Sequence, residues 1–279
     1  VCVHEQFLTE TAKYADILLP ATSFVEHSDI YIAGGHQHLT YGPKLINSIG
    51  DSKSNHTLIN EILKRLGSKK ENFNMTEDEI INETLILSNL GTLKKLKEKK
   101  FIDLQPDFQT SHFINGFGHS DKKYHFNPKW NIKNTKFNDN HNLPDHYDFN
   151  EKATNVCPYK LVTAPAHNFL NSSFTETSSS IRLENKPKIK IHSNDMLKLK
   201  IKDNEIVEIG NHRAKLKIHV EKFDDLLEGV TVVEGIWPNE CFIEGNGINF
   251  LVGSDSPEPA GGAVFHDVAI WIKKLPITS

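Results

Sequence analysis

Residues 214 to 220 set the tightest constraint on this chain. Leu216, Ile218 and Val220 alternate with Lys215, Lys217 and His219, a period of two that suits an extended strand with one buried and one wet face. Further strand-like runs fall at 159–164, 188–192, 205–210, 229–234 and 263–273. Asn211 to Arg213 supplies a hairpin turn, and Ser193 to Leu199 reads as a one- or two-turn helix with Ser193 as its cap. Six short strands and one small helix predict a closed β-barrel.

The first half obeys other periods. Thr9 to Asp16 suits a short helix, Ile17-Leu18-Leu19 a compact buried strand, and Pro20 removes the backbone donor that further pairing needs. Gly34-Gly35 and Gly42-Pro43 mark turns. Leu58, Ile59, Ile62, Leu63 and Leu66 then form the apolar face of a helix closed by Gly67. Thr76 and Glu79 have the capping-box spacing, with Met75 and Ile80 placed as a hydrophobic staple. Thr92 to Lys100, with Leu93 and Leu96, predicts a short solvated helix. Residues 101–152 shift to Asn, Asp, His, Lys and Phe, a long connecting arm with brief strands such as Tyr124 to Phe126. The expected organisation is an α/β segment over 1–67, a helical and irregular connection over 68–152, and an all-β barrel over 153–279, α+β overall.

Composition excludes several classes of function. The chain has 279 residues and a net charge of −4, and arginine occurs only at 65, 182 and 213, which gives no basic field for nucleic acid. No apolar run approaches the roughly 20 residues of a membrane span, so no membrane insertion by this segment is expected. Cys2, Cys157 and Cys241 are odd in number and far apart, and read as buried or incidental thiols. Among 15 histidines, His36 and His38 alternate and His112, His119, His125, His141 and His146 spread through the arm. They lack close Cys or acidic partners at recurring spacing, so no zinc site is expected. Trp130, Trp237 and Trp271 read as core or barrel-rim residues. The chain starts at Val1 and has methionine only at 75 and 196, which points to the C-terminal part of a longer protein. Localisation stays open, with a cytoplasmic one favoured, since any export signal would lie upstream.

Two blocks carry the chemistry. The first is Glu5-Gln6-Phe7-Leu8-Thr9-Glu10-Thr11-Ala12, then Ala15-Asp16-Ile17-Leu18-Leu19-Pro20-Ala21-Thr22, with Glu26 following. The second runs Leu161-Val162-Thr163-Ala164-Pro165-Ala166-His167-Asn168-Phe169-Leu170-Asn171-Ser172-Ser173-Phe174-Thr175. With Ile191-His192-x-x-Asp195, Asp203 to Val207, Asn211-His212-Arg213-Ala214 and Gly247-Ile248-Asn249-Phe250-Leu251, they resemble the molybdopterin oxidoreductases of the dimethyl sulfoxide reductase superfamily. The resemblance covers 1 to about 66 and 153–279 and leaves 68–152 aside. Asn204 stands where the family commonly has Gly, and Arg213-Ala214 where it often has Arg-Gly; Asn tolerates a left-handed backbone.

The resemblance implies a C-terminal double-psi β-barrel that clasps two pyranopterin guanine dinucleotides bearing molybdenum or tungsten. It also implies a metal ligand and an iron-sulfur cluster upstream of this chain. Asn168, Asn171, Ser172, Ser173, Thr175 and Thr177 offer a neutral cradle for a pyrophosphate. A guanine edge presents adjacent N–H donors that one carboxylate accepts in pairs, a role for Asp16 or Glu10; Thr9 and Thr11 flank Glu10. Thr163, Trp237, Asn239 and Asn249 complete the candidate set. His167 serves equally as a donor to a pterin or as a cap on a strand end. A half-buried Asn249 is explained as well by a structural bond as by a ligand contact.

Two function classes follow. One is the cofactor-binding part of an oxidoreductase that moves an oxygen atom or a hydride equivalent to or from a small-molecule redox substrate, with an iron-sulfur or other electron-transfer subunit as partner. On that reading the chain alone is inactive, because the metal ligand lies upstream. The other is a cofactor-free module of the same fold in an electron-transfer complex. A degenerate copy should lose the polar sets at 9–16 and 168–175. Both persist here, which favours the enzyme.

Overall fold

The computed structural model describes residues 1–69, 74–126, 150–254 and 262–276. Trp130, His141 and His146 lie outside the described residues. The chain divides into two compact units, Val1–Tyr124 and His125–Ser279.

In the first unit, β1 (Cys2–Glu5) and β2 (Ile17–Pro20) form a two-stranded parallel sheet. Thr9 to Asp16 makes only one 3-10 turn at Ala12–Tyr14, with Thr9 Oγ1 accepting the Ala12 N–H at 3.2 Å. The short helix expected there is therefore much reduced. The expected burial of Ile17 and Leu18 also fails, since they are 56% and 46% exposed. Among the described residues β1 is the only strand that pairs with β2, and a two-stranded parallel ribbon covers neither of its own faces.

Downstream, β3 (Asp29–Ile32), β4 (His38–Gly42) and β5 (Phe101–Asp103) form an antiparallel sheet. Residues 101–103, expected as part of a connecting arm, thus close a sheet. α1 (Asn55–Arg65) starts at Ser54, whose hydroxyl accepts from Thr57 N. Its apolar side stays largely exposed at Ile59, Ile62 and Leu66. α2 (Glu77–Leu87) carries the full capping box, with Thr76 and Glu79 exchanging bonds. α3 (Leu93–Lys99) corrects a second expectation. It is no free solvated helix, for Leu93 and Leu96 join Leu39, Ile81 and Leu85 in the core of this unit. A short α4 (Phe108–Ser111) follows, and Tyr124 to Phe126 forms no strand.

The second unit is a closed barrel in the order β10-β6-β11-β8-β9-β7. Its strands are β6 (Tyr159–Ala164), β7 (Lys188–Ile191), β8 (Ile206–Gly210), β9 (Lys215–Lys222), β10 (Val230–Glu234) and β11 (Val268–Lys274). β6 and β10 pair in parallel, as do β7 and β9, while the other neighbours run antiparallel. Leu216, Ile218 and Val220 point into the core, as their alternation predicts. α5 (Ser178–Glu184) and α6 (Ser193–Leu199) are its helices. The cap of α6 is His192, whose ring accepts from Asn194 N, and not Ser193; Ser193 N is held by Asp224 instead. Asn204 takes the left-handed conformation at φ +62°, so it can stand in for glycine there. The expected strand 263–273 begins only at Val268, because Asp267 is left-handed and breaks the extended run.

None of the three cysteines is buried. Cys2 and Cys241 are exposed, Cys157 is partly so, and all are free. Among the described residues no helix is long and apolar enough to cross a membrane.

Candidate functional site

Each unit presents part of the candidate set. In the second, the ends of β6 and β10 and the turns that follow them enclose a cavity of about 530 Å³. Thr163, Ala164, Pro165 and Ala166 form one wall, Gly235 and Ile236 another, and Asn171, Asn249, Phe265 and His266 the rest. No lysine, arginine, aspartate or glutamate is among these residues, so the described lining is uncharged apart from one imidazole. An apolar hollow with a few converging polar groups is the usual form of a small-molecule site.

Small residues make the hollow. Gly235 has φ +83°, and a Cβ there would meet Ala166 Cβ at 3.0 Å and the Phe169 ring at 3.3 Å, so only glycine fits without strain. Phe169 and Trp237 stand edge to face beneath it, 4.8 Å between ring centres.

Thr163 organises the opposite lip. Its Oγ1 donates to the carbonyl of Phe265 at 3.1 Å and lies 3.5 Å from His266 Nδ1. Asn150 Nδ2 donates to Asp267 at 3.1 Å, fixing the turn from its other side. Asn249 sits on a 3-10 turn, Ile248–Leu251, anchored by the buried Ile248 and Leu251. Its side chain is exposed and not half-buried as expected, because its two apolar neighbours divide between core and surface. Asn171 is also exposed, with a left-handed backbone at φ +53°.

The other candidates of this unit lie apart from the cavity. Asn168 is taken up by Glu184, which accepts from its backbone N–H at 2.6 Å and its amide at 2.8 Å. Thr175 is buried and donates to Ser172 O at 2.8 Å. His167, Ser172 and Ser173 are exposed beside them. Trp237 is buried, with its indole N–H on Glu234 O at 3.0 Å. Asn239 Oδ1 accepts the Gly247 N–H at 3.0 Å.

In the first unit, Thr9 caps its turn, Glu10 pairs with Lys13 at 2.8 Å, and Thr11 and Asp16 are exposed. None of the four lines the polar cavity of about 540 Å³ bordered by Thr22, Glu26, His27, Lys53, Ser54 and Glu77. Glu26, the acid of the first block, is buried and receives the N–H groups of Ser23 at 2.6 Å and Ile49 at 2.7 Å. The Ser23 N–H, then that of Ile49, hold its carboxyl below the usual carboxylate range. It braces the loop after β2.

Phe265 and His266 were not singled out from the sequence as site residues. Read as strand, they belong to the barrel wall; the late start of β11 puts them on the cavity. The left-handed Asp267 was the missing signal, since Asp is among the few residues that adopt that conformation readily.

Comparison with known families adds the chemistry. The Molydopterin dinucleotide binding domain matches residues 159–269, and Molybdopterin oxidoreductase matches residues 1–65. The chain belongs to the molybdopterin oxidoreductases. It is 29% identical to Probable oxidoreductase YoaE of Bacillus subtilis (strain 168) over 98% of its length and 40% of that relative. It is 25% identical to the F420-dependent formate dehydrogenase subunit alpha of Methanocaldococcus jannaschii, covering 82% of this chain and 33% of that one. With the trimethylamine-N-oxide reductase of Haemophilus influenzae it shares 23% identity over 87% of this chain and 33% of the relative. Acetylene hydratase from Pelobacter acetylenicus shares the fold, with a TM-score of 0.75 at 15% identity over 99% of this chain and 40% of that structure. The chain thus spans two fifths or less of the length of these relatives. Its cavity falls wholly inside the molybdopterin dinucleotide-binding segment.

Proposed function

We propose that this chain is the cofactor-clasping C-terminal portion of a molybdenum or tungsten oxidoreductase that carries two pyranopterin guanine dinucleotides. The observation that carries the reading is the uncharged cavity at the ends of β6 and β10, within the segment that matches the dinucleotide-binding domain. Its residues fit a flat, neutral heterocycle: small side chains leave room for the ring, Phe265 offers a face, and Asn171, Asn249 and His266 offer edges. When bound, the cofactor supplies two-electron redox chemistry at its metal. The chain's own residues bind and orient it, and the side chains around the cavity exclude water from one of its faces.

The remaining parts of the reading stand with it. Residues 1–67 would be the last part of the preceding α/β domain, 68–152 a connection, and 153–279 a double-psi barrel. Thr9, Glu10, Thr11 and Asp16 in the first unit, and the 167–175 turn in the second, would meet other parts of the two dinucleotides. The metal ligand and an iron-sulfur cluster would come from upstream chain, an electron-transfer subunit would dock on the whole, and a small-molecule substrate would exchange an oxygen atom or a hydride equivalent. The names of the relatives span formate and trimethylamine N-oxide as substrates, which supports the reaction class and leaves the substrate open.

The test is chemical analysis of the intact parent protein. Acid release should yield about two guanosine monophosphates for each molybdenum or tungsten ion. Protein folded and pure but free of metal and pterin would refute the reading in favour of a cofactor-free module.

A further inference from the structure

We propose that His266 is a specificity-determining residue of this cavity, accepting through Nε2 a hydrogen bond from the N–H edge of a 2-amino-4-oxo-pyrimidine ring. The proposal rests on the cofactor reading above and assigns within it a residue that the sequence did not disclose.

The groups around the ring pair with one of its tautomers. Thr163 Oγ1 has one proton, and it is committed to the Phe265 carbonyl at 3.1 Å. Toward His266 Nδ1, 3.5 Å away, the same oxygen can therefore only accept. In the tautomer that pairs with this oxygen, Nδ1 carries the proton of the neutral ring and Nε2 is an acceptor. The ring is held in place by Phe265, 4.4 Å away between centres, and the turn is pinned by Asn150 on Asp267.

The demand of the ligand matches that acceptor. A 2-amino-4-oxo-pyrimidine edge, common to guanine and to pterin, presents a ring N–H next to an exocyclic amine. A carboxylate is the ordinary partner for such a pair, and none is among the described residues that line this cavity. Among the described side chains of the lining, the acceptors available are the amide oxygens of Asn171 and Asn249 and the Nε2 of His266. Of these three, the imidazole alone has neighbours on both sides among the described residues, Thr163 and Phe265. Phe265, on the same wall and 46% exposed, supplies a stacking face for the ring whose edge His266 reads.

The experiment uses the intact parent protein, wild type and H266F, H266L and H266Q. Release of cofactor is followed by the fluorescence of oxidised pterin in the medium, and binding of guanosine monophosphate to apoprotein by calorimetry. H266F and H266L should release cofactor about three- to tenfold faster, with apoprotein melting temperatures unchanged, since His266 is an exposed side chain. H266Q, which keeps an acceptor, should stay within about twofold of wild type. A parallel loss of guanosine monophosphate affinity identifies the guanine as the ring that is read; unchanged affinity with faster cofactor release identifies the pterin. Wild-type release rates and nucleotide affinity in H266F and H266L would overturn the assignment while leaving the cofactor reading intact. A wild-type protein without cofactor would overturn both.

Discussion

Replacing Gly247 with alanine tests how the cavity's Asn249 turn is held. Gly247 is buried, and its N–H donates to Asn239 Oδ1 at 3.0 Å just before Ile248–Leu251. Its φ of −81° is open to any residue, so backbone strain plays no part. Sterics do: a Cβ at this position would collide with Asn239 Oδ1. The amide must swing away, and its bond to the buried N–H goes with it. Leaving that donor unpaired costs about 1–3 kcal/mol. Asn239→Ala removes the same bond from the other side and should cost about as much. The double variant has neither clash nor bond, so its loss should equal that of one single substitution and not their sum, a coupling of about 1–3 kcal/mol. Native-state hydrogen exchange of the barrel amides of Val207, Ile209 and Ile218 reads this stability without assuming that the two units unfold together. Additive losses, or an Asn239→Ala variant as stable as wild type, would show that Asn239 is no brace and return it to the list of ligand contacts.

Leu96→Ala should cost about 2–5 kcal/mol, since Leu96 is fully buried against Leu39, Ile81, Leu85 and Leu93; hydrogen exchange should quicken in α2 and β4 and stay unchanged in the barrel. Asn249→Leu should weaken cofactor retention by about 1–3 kcal/mol while the apoprotein melts as before, because the side chain is exposed on the cavity wall. A lower apoprotein melting temperature would mark it as structural. His219 has a buried Nδ1 with no hydrogen-bond partner among the described residues. Burial first, then Lys186, pushes its pKa below the ordinary value. Its contribution to barrel stability should be complete above the unfolded-state pKa of about 6.5 and fade as pH falls below it. His219→Gln should flatten that part of the pH profile, measured by urea unfolding from pH 7.5 to 5, and an unchanged slope would reject the assignment.

The barrel was legible because its signals are local. Period-two alternation places Leu216, Ile218 and Val220 in the core, and Asn211 closes its turn on Ala214 with a bond of 3.0 Å. The capping box at Thr76 is likewise complete within four residues. Burial in the first unit was misread in both directions, because burial depends on partners distant in sequence. Leu93 and Leu96 look like a thin apolar stripe on a lysine-rich helix, yet α2 and β4 enclose them. Ile17 and Leu18 look like a buried strand, yet among the described residues β1 is the only strand beside β2. For the site, the block at 163–171 did contain cavity residues, Thr163 and Asn171. It could not show that Asn168 is taken up by Glu184, sixteen residues on, or that Thr163 reaches Phe265, about a hundred residues away.

Where the charges go decides what kind of ligand these surfaces can accept. Among the described residues of the second unit, three carboxylates are already paired: Glu184 with Asn168, Glu151 with Arg213 and the Ala269 N–H, and Glu234 with Lys190 at 2.6 Å. A buried carboxylate held by backbone N–H groups, as Glu26 is in the first unit, is favoured in its charged form but has fewer lone pairs left for a ligand. The described lining of the cavity meets the polar demand of a heterocycle with neutral groups, two amides and one imidazole. Such a wall discriminates by the pattern of donors and acceptors and contributes little long-range attraction. It suits a ligand delivered once and retained. On the proposed reading the anionic pyrophosphate of the same ligand would take its partners elsewhere, from exposed hydroxyls such as those of Ser172 and Ser173, because the Ser173 backbone N–H already donates to Leu170 O at 2.9 Å.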